Sequence, residues 1–148
     1  MNSDYTAASS YSDFQIKNCS FNGNGVNIYY PEESACYNST STVSGNTFDG
    51  GVFLGIPLNA TIENNTFTNI ADGRAAIQFL INKNTTAANT TIQNNSFISA
   101  ENAEGYGVEL MPYHSKSEGA EVAYTVEKAE ELPTIKNNRF LGGTKALK

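Results

Sequence analysis

The chain of 148 residues lacks several features that mark common functional classes. It has no Trp and one His, and its nine Lys and Arg are outnumbered by fifteen Asp and Glu, for a net charge of −6. Binding to nucleic acid or to an anionic membrane surface requires clustered positive charge, which is missing here. No run approaches the roughly 20 apolar residues of a membrane-spanning helix. The composition therefore predicts neither a nucleic-acid partner nor a membrane span.

The two cysteines, Cys19 and Cys36, are too few for a disulfide framework, and their spacing matches no metal-binding motif. Two buried or free thiols are favoured over a Cys19–Cys36 disulfide, which stays open as the alternative. The single histidine, His114, lies in a polar stretch, where an exposed side chain is favoured over a ligand or a catalyst. The sequence predicts no metal and no cofactor.

Asparagine, by contrast, is abundant: the chain has 19, and several of them belong to a motif that occurs five times. Asn disfavours helix interiors and favours turns, which indicates a turn-rich β protein. The copies are QIKNCSF, STVSGNTF, TIENNTF, TIQNNSF and TIKNNRF, which end at Phe21, Phe48, Phe67, Phe97 and Phe140. Successive phenylalanines are 27, 19, 30 and 43 residues apart. A motif kept intact while its spacing varies indicates fixed strands joined by loops of different length.

A second run follows each phenylalanine and alternates with a period of two, as a β-strand does. The copies are GVNIYY from Gly25, GVFLGI from Gly51, AIQFLI from Ala76, GVELMP from Gly107 and the weaker GTKALK from Gly143. Parallel stacking of repeated coils places identical residues above one another, which an antiparallel meander would not do. The repeats therefore predict a β solenoid.

Alternation within the first motif assigns each position a direction. The predicted inward aliphatic column is Ile16, Val43, Ile62, Ile92 and Ile135, and the five motif phenylalanines form a second inward column. A third column at the bend consists of Cys19, Asn46, Asn65, Asn95 and Asn138. Stacked Asn side chains would hydrogen-bond to each other and to the backbone of the turn, which satisfies buried polar groups. Cys19 is expected to end this column as a small buried thiol.

These residues resemble the right-handed parallel β-helix family, the pectate-lyase-like superfamily, whose repeats read I-x-N-N-x-F and then G-I/V-x-L. The resemblance runs from Phe14 to about Leu147. It implies an all-β, right-handed, single-stranded parallel β-helix of about five coils with an asparagine ladder. It does not imply one activity, because the superfamily includes lyases, hydrolases, epimerases, phage tailspikes and adhesins.

The expected organisation is a linker or cap at 1–13 and a β-helix domain at 14–148 with a long loop or arm at 112–132. Residues 1–13 lack the regions of a signal peptide, so the export signal is expected in a longer parent protein. The resulting expectation is an extracellular or cell-surface location. Neighbouring coils of the parent, or another chain, are the expected partners at the open ends.

Outward side chains of the second run are the expected functional positions, because enzymes of the resembled superfamily bind polysaccharide along one sheet. Alternation predicts one outward column of Asn27, Phe53, Gln78, Glu109 and Lys145, and a next one of Tyr29, Gly55, Leu80, Met111 and Leu147. The expected glycan-contacting set is Tyr29, Phe53, Leu80, Asn27 and Gln78. Aromatic faces stack on sugar rings; a stripe covered by the arm or by another chain is an equal alternative.

The candidates for catalysis are Glu109, Lys145, Asp72 and Arg74. A hydrolase needs at least two carboxylates in one groove, and a lyase needs a base and often Ca²⁺ held by an acid cluster. The sequence offers no convergent acids on successive coils, so Glu109 and Lys145 are expected to be solvated or to form a cross-coil ion pair.

A non-catalytic module of a secreted or cell-surface protein is therefore favoured, acting as a stalk, an adhesin scaffold or a glycan-contacting surface. The alternative is a fragment of a polysaccharide-acting lyase, hydrolase or epimerase, with Ca²⁺ only in the lyase case.

Seven Asn-x-Ser/Thr triplets also occur. Three of them coincide with the ladder motif, so the sequence alone is not taken to indicate glycosylation.

Overall fold

The computed structural model describes residues 14–23, 25–28, 40–51, 53–55, 59–81, 87–112 and 132–148. The expected cap at 1–13 and nearly all of the expected arm at 112–132 lie outside the described residues, as do Tyr29, Cys36, Val52 and His114. Within the described ranges the chain forms fifteen β-strands and no helix. No helix there is long and apolar enough to cross a membrane.

The strands form three parallel sheets of five strands each. The first sheet contains β1 (Phe14–Lys17), β4 (Ser41–Ser44), β7 (Ala60–Glu63), β10 (Thr91–Gln93) and β13 (Thr134–Lys136). The second contains β2 (Ser20–Asn22), β5 (Thr47–Asp49), β8 (Thr66–Ile70), β11 (Ser96–Ser99) and β14 (Arg139–Leu141). The third contains β3 (Val26–Ile28), β6 (Phe53–Gly55), β9 (Ala75–Ile81), β12 (Tyr106–Pro112) and β15 (Lys145–Leu147). Strand order follows chain order in every sheet, so each coil lies on the previous one.

The core consists of like residues stacked on like, as the repeat predicts. The aliphatic column pairs in register from Ile16 through Val43, Ile62 and Ile92 to Ile135. The phenylalanine column is also in register, and its rings stack with centroids 4.6 to 5.3 Å apart and interplanar angles of 8° to 16°. Its three middle rings are fully buried. Burial of each such ring contributes roughly 2–3 kcal/mol.

The turn between the first and second sheets uses two residues with different tasks. The first adopts a left-handed backbone, a conformation that Asn and Gly tolerate better than other residues. Its φ angles are 54° at Asn18, 67° at Gly45, 55° at Asn64, 56° at Asn94 and 56° at Asn137. The second residue turns its side chain inward, and the Asn side chains at that position are buried or half-buried.

The inward residues form the predicted asparagine ladder. Asn65 shows the full pattern: its Oδ1 accepts from the N–H and the Nδ2 of Asn46, and its Nδ2 donates to Asn95 Oδ1 and to the carbonyl of Val43. Asn95 repeats this pattern between Asn65 and Asn138. All four hydrogen-bonding positions of the Asn65 amide are used, which explains how a polar side chain that is 1% exposed is stable in the core.

The expectation of a buried thiol at the first ladder position is wrong. Cys19 is a free, exposed cysteine, and its thiol lies 3.3 Å from the carbonyl oxygen of Lys17. Its backbone N–H still donates to Asn46 Oδ1. A thiol has no amide to continue the row, so the side-chain ladder begins at Asn46.

The predicted register of the third sheet is wrong in two of its strands. Phe53 was predicted to share the outward column of Asn27 and Gln78, but it pairs with Val26 and Ile77 instead. Leu54 is the residue that lies beside Asn27 and Gln78. In β15, Lys145 pairs with Tyr106 and Leu147 pairs with Val108. The physical reason is that the glycine has no fixed position in the turn before the third sheet. Gly25 stands one residue before Val26, whereas Gly51 stands two residues before Phe53.

Candidate functional site

The candidate site lies on the third sheet and on the turns that lead into it from the second. In the turn before β9, the N–H of Arg74 donates to the carbonyl of Ala71 at 3.0 Å, and Gly73 adopts a φ of 67°. The N–H of Tyr106 donates to the carbonyl of Arg74 at 2.8 Å. The backbone of Arg74 is therefore fixed between its own turn and the next coil.

A pocket of about 140 Å³ opens beside this turn. Its lining consists of Gly51, Ile70, Ala71, Arg74, Ala75, Ala76 and Gln78. Four of these residues are Gly or Ala, whose small side chains leave the space. Arg74 is exposed and Gln78 is half-buried, so both polar groups lie at the rim of an otherwise apolar pocket.

Gln78 belongs to a polar row that crosses three coils. Its Nε2 donates to Glu109 Oε2 at 2.9 Å, and Glu109 Oε1 lies 3.0 Å from Lys148 Nζ. The same ammonium donates to the carbonyl of Gly73 and lies 5.8 Å from the centroid of the Tyr106 ring. The expected Glu109–Lys145 ion pair is therefore wrong, because the shifted register of β15 places Lys148 beside Glu109.

Lys145 forms its ion pair with Glu104 instead, at 2.6 Å. The hydrogen bond and the charge of Lys145 lower the pKa of Glu104, and the carboxylate in turn raises the pKa of Lys145. The Tyr106 hydroxyl also donates to Glu104, at 3.4 Å. Asp72 Oδ1 accepts from the N–H of Glu104 at 2.8 Å, so this carboxylate supports the turn.

The structure thus brings some of the candidate residues together and separates others. Arg74 and Gln78 line one pocket, and Glu109 contacts Gln78. Asn27, Phe53 and Leu80 lie in β3, β6 and β9 of the same sheet, but their side chains are outside what the structure describes.

Sequence reasoning missed Glu104, Tyr106 and Lys148. The sequence did contain a signal for two of them: Tyr106 lies in β12 and Lys148 directly follows β15, and both strands have outward charged residues. When the runs GVELMP and GTKALK are aligned on their first glycine, Lys145 is placed opposite Glu109, and the contact of Lys148 with Glu109 is missed.

The described residues contain no group of three or more His, Cys, Asp or Glu that could hold a metal ion. They do not supply the acid cluster expected for Ca²⁺ in the lyase alternative.

Three parallel sheets stacked coil on coil define the protein as a parallel β-helix. Residues 2–122, more than half of the chain, match the family described as "Right handed beta helix region". The chain therefore belongs to the right-handed β-helix family. No curated protein and no solved structure matches it.

Proposed function

We propose that this β-helix is a non-catalytic module of an extracellular or cell-surface protein and that it contacts a glycan at the Arg74–Gln78 pocket. The observation that carries the proposal is the composition of that pocket: an apolar floor of small residues with one cation and one amide at the rim. Concave, mostly apolar sites with a few placed polar groups are typical of small-ligand recognition.

The chemistry of the rim suits a sugar, which offers hydroxyl groups around a ring with apolar C–H faces. The buried Ala75 and Ala76 and the side chain of Ile70 provide the apolar contact. No ion pair or hydrogen bond from another described residue holds the guanidinium of Arg74, so the described part of the chain leaves its donors available to a ligand. Gln78 adds an amide oxygen that accepts from a hydroxyl group.

The acidic groups of this face favour binding over catalysis. Both oxygens of Glu109 are engaged, by Gln78 and by Lys148. A general acid needs a raised pKa, whereas Lys145 lowers the pKa of Glu104. The rigid stack of coils supports the companion role as a stalk or an adhesin scaffold, because it presents the pocket at a fixed place.

The proposal is tested on a glycan array with chain produced in bacteria, comparing the unmodified sequence with Arg74→Ala and Gln78→Ala. Loss of a charged hydrogen bond of about 1.5–3 kcal/mol predicts a roughly tenfold or larger fall in affinity for Arg74→Ala. Arg139→Ala is the matched control, because Arg139 is an exposed arginine on the second sheet. Binding that survives Arg74→Ala, or no binding to any glycan, contradicts the assigned site.

The enzyme alternative is tested separately, by the absorbance of unsaturated uronates and by reducing-end release on polysaccharides. We expect no turnover. Cleavage that disappears in Glu109→Gln would replace the non-catalytic proposal with a lyase or hydrolase.

A further inference from the structure

The turn between the first and second sheets contains two chemically distinct classes of asparagine. The ladder residues use their amides inside the core. The residues before them, Asn18, Asn64 and Asn94, are exposed and left-handed. Among the described residues, no hydrogen bond engages the side-chain amides of Asn64 and Asn94.

The two classes differ in their position within the Asn-x-Ser/Thr triplets of the motif. These triplets are Asn18-Cys19-Ser20, Asn64-Asn65-Thr66 and Asn94-Asn95-Ser96. The acceptor position of each triplet falls on the exposed residue. The middle position is a ladder asparagine in two of them, Asn65 and Asn95, and Cys19 in the first. Ser20 is exposed, and Thr66 and Ser96 are half-buried at the start of the second sheet.

We propose that Asn18, Asn64 and Asn94 are N-glycosylation sites. An Asn-x-Ser/Thr triplet is the acceptor signal for this modification in exported proteins. The co-reactant is a lipid-linked oligosaccharide diphosphate. A bond forms between Asn Nδ2 and the anomeric carbon, the bond from that carbon to the diphosphate oxygen breaks, the lipid diphosphate leaves, and the Nδ2 proton passes to a base.

The fold accommodates this modification without loss of its core contacts. A glycan on Asn64 extends from an exposed turn, and the four hydrogen bonds of the Asn65 amide stay intact. The pocket residues lie at the other end of the second-sheet strands, from the end of β8 through the turn into β9. The glycans therefore cover one edge of the solenoid and leave the proposed binding face open.

The chain contains its own matched control for the sequence requirement. Asn137 has the same exposure and a φ of 56°, but Arg139 stands where the triplet needs Ser or Thr. If exposure and a left-handed backbone were sufficient, Asn137 would be modified. If the Asn-x-Ser/Thr triplet is also required, it would not be. Arg139→Thr completes the triplet and should add a glycan there.

The experiment uses the full chain with a secretion signal in a eukaryotic host, and total protein, both secreted and retained, is analysed. Peptide N-glycosidase in ¹⁸O water converts each glycosylated Asn to a labelled Asp, which is located by peptide mass spectrometry. We expect label at Asn18, Asn64 and Asn94 and none at Asn65, Asn95 or Asn137. Thr66→Ala should remove the label at Asn64 alone, and Arg139→Thr should add one at Asn137.

Unlabelled Asn64 and Asn94 would overturn the proposal, and so would loss of the β-sheet circular dichroism spectrum in the glycosylated chain. If Asn137 stays unlabelled in Arg139→Thr while Asn64 is labelled, then an exposed, left-handed Asn in a complete triplet is not sufficient for modification. That result would overturn the role given to the turn. The glycan array uses bacterial, unglycosylated chain, so failure of either proposal is recognised independently of the other.

Discussion

At the scale of single residues, the Asn-Asn pair places one side-chain type in two opposite environments. Asn64 supplies a left-handed backbone at the surface, and Asn65 supplies a buried amide that bridges three coils. Gly45 replaces the first of these at no cost in geometry, because Gly also adopts positive φ. A β-carbon at Gly45 would lie only 2.5 Å from Asn18 Oδ1, so the smallest residue fits this coil.

The ladder predicts a large difference between two neighbouring substitutions. Asn65→Leu removes the partners of the Asn46 amide and of the Val43 carbonyl, and should lower the free energy of unfolding by an amount on the order of 1–3 kcal/mol. Glu63→Ala, which loses a hydrogen bond from Gln93 at the half-buried outer face, should cost less than about 1 kcal/mol. Chemical denaturation measures both. Equal losses would contradict the inward placement of Asn65.

The left-handed turn predicts a second contrast at a single position. Asn64→Val places a β-branched residue at a φ of 55°, which should cost roughly 1–2 kcal/mol. Asn64→Gly should change the stability by no more than about 0.5 kcal/mol, because Gly adopts this conformation freely. Urea midpoints of the two variants report the difference, and a destabilisation by Gly as large as that by Val would be inconsistent with this origin.

At the scale of strands and turns, the sequence predicts the first two sheets well and the third only in part. Around TIENNTF, β7 and β8 are separated by a turn of only two residues, Asn64 and Asn65, so no loop intervenes and the register follows from the motif. The third sheet follows turns in which the position of the glycine varies from coil to coil. Val26 and Phe53 stand equally far beyond the phenylalanines of their coils, yet alignment on Gly25 and Gly51 displaced them by one residue.

The same displacement limited prediction of the candidate site. Gln78 and Glu109 were placed in one row correctly because β9 and β12 are long strands that pair over most of their length. Lys145 was misplaced because β15 is short and its glycines, Gly142 and Gly143, both adopt positive φ. A pocket formed by several small residues from different coils has no contiguous sequence signal at all.

The Glu104–Lys145 ion pair should make a pH-dependent contribution to the free energy of unfolding. The pKa of Glu104 is lowered on folding, so its contribution is present at neutral pH and is lost as the pH falls through that lowered value. The pKa of Lys145 is raised, so the contribution is also lost as the pH rises through that higher value. Both side chains are exposed, so the effect should be small and screened by salt.

The measurement is the difference in melting temperature between the unmodified chain and Glu104→Gln across pH and salt concentration. We expect a small difference near neutral pH that disappears in acid, in strong base and in concentrated salt. Asp72→Asn is the comparison, because Asp72 accepts from the backbone of the same turn. A difference that persists in acid would show that the pair is not its source.

At the scale of the whole molecule, each coil contacts only its neighbours, so stability should depend on position along the solenoid. Phe67 lies between Phe48 and Phe97 and is fully buried, whereas Phe21 stacks on one ring among the described residues, that of Phe48, and is half-buried. Phe67→Ala should cost about 3–5 kcal/mol, as large cavities do, and Phe21→Ala clearly less. Denaturant unfolding of both variants gives the comparison, and equal losses would contradict a column with less-buried ends.

The asparagine ladder also gives the solenoid an electrical polarity. Each bond between ladder side chains runs from the Nδ2 of one coil to the Oδ1 of the next, so the amide dipoles of Asn46, Asn65, Asn95 and Asn138 point the same way. Backbone bonds at the same turn run in both directions, from the N–H of Gly45 to the carbonyl of Glu63 and from the N–H of Thr47 to that of Cys19, and so largely cancel. The side-chain dipoles add, as peptide dipoles do in a helix, with the positive end at Asn138. The ladder therefore continues only where the Nδ2 side of one coil meets the Oδ1 side of the next.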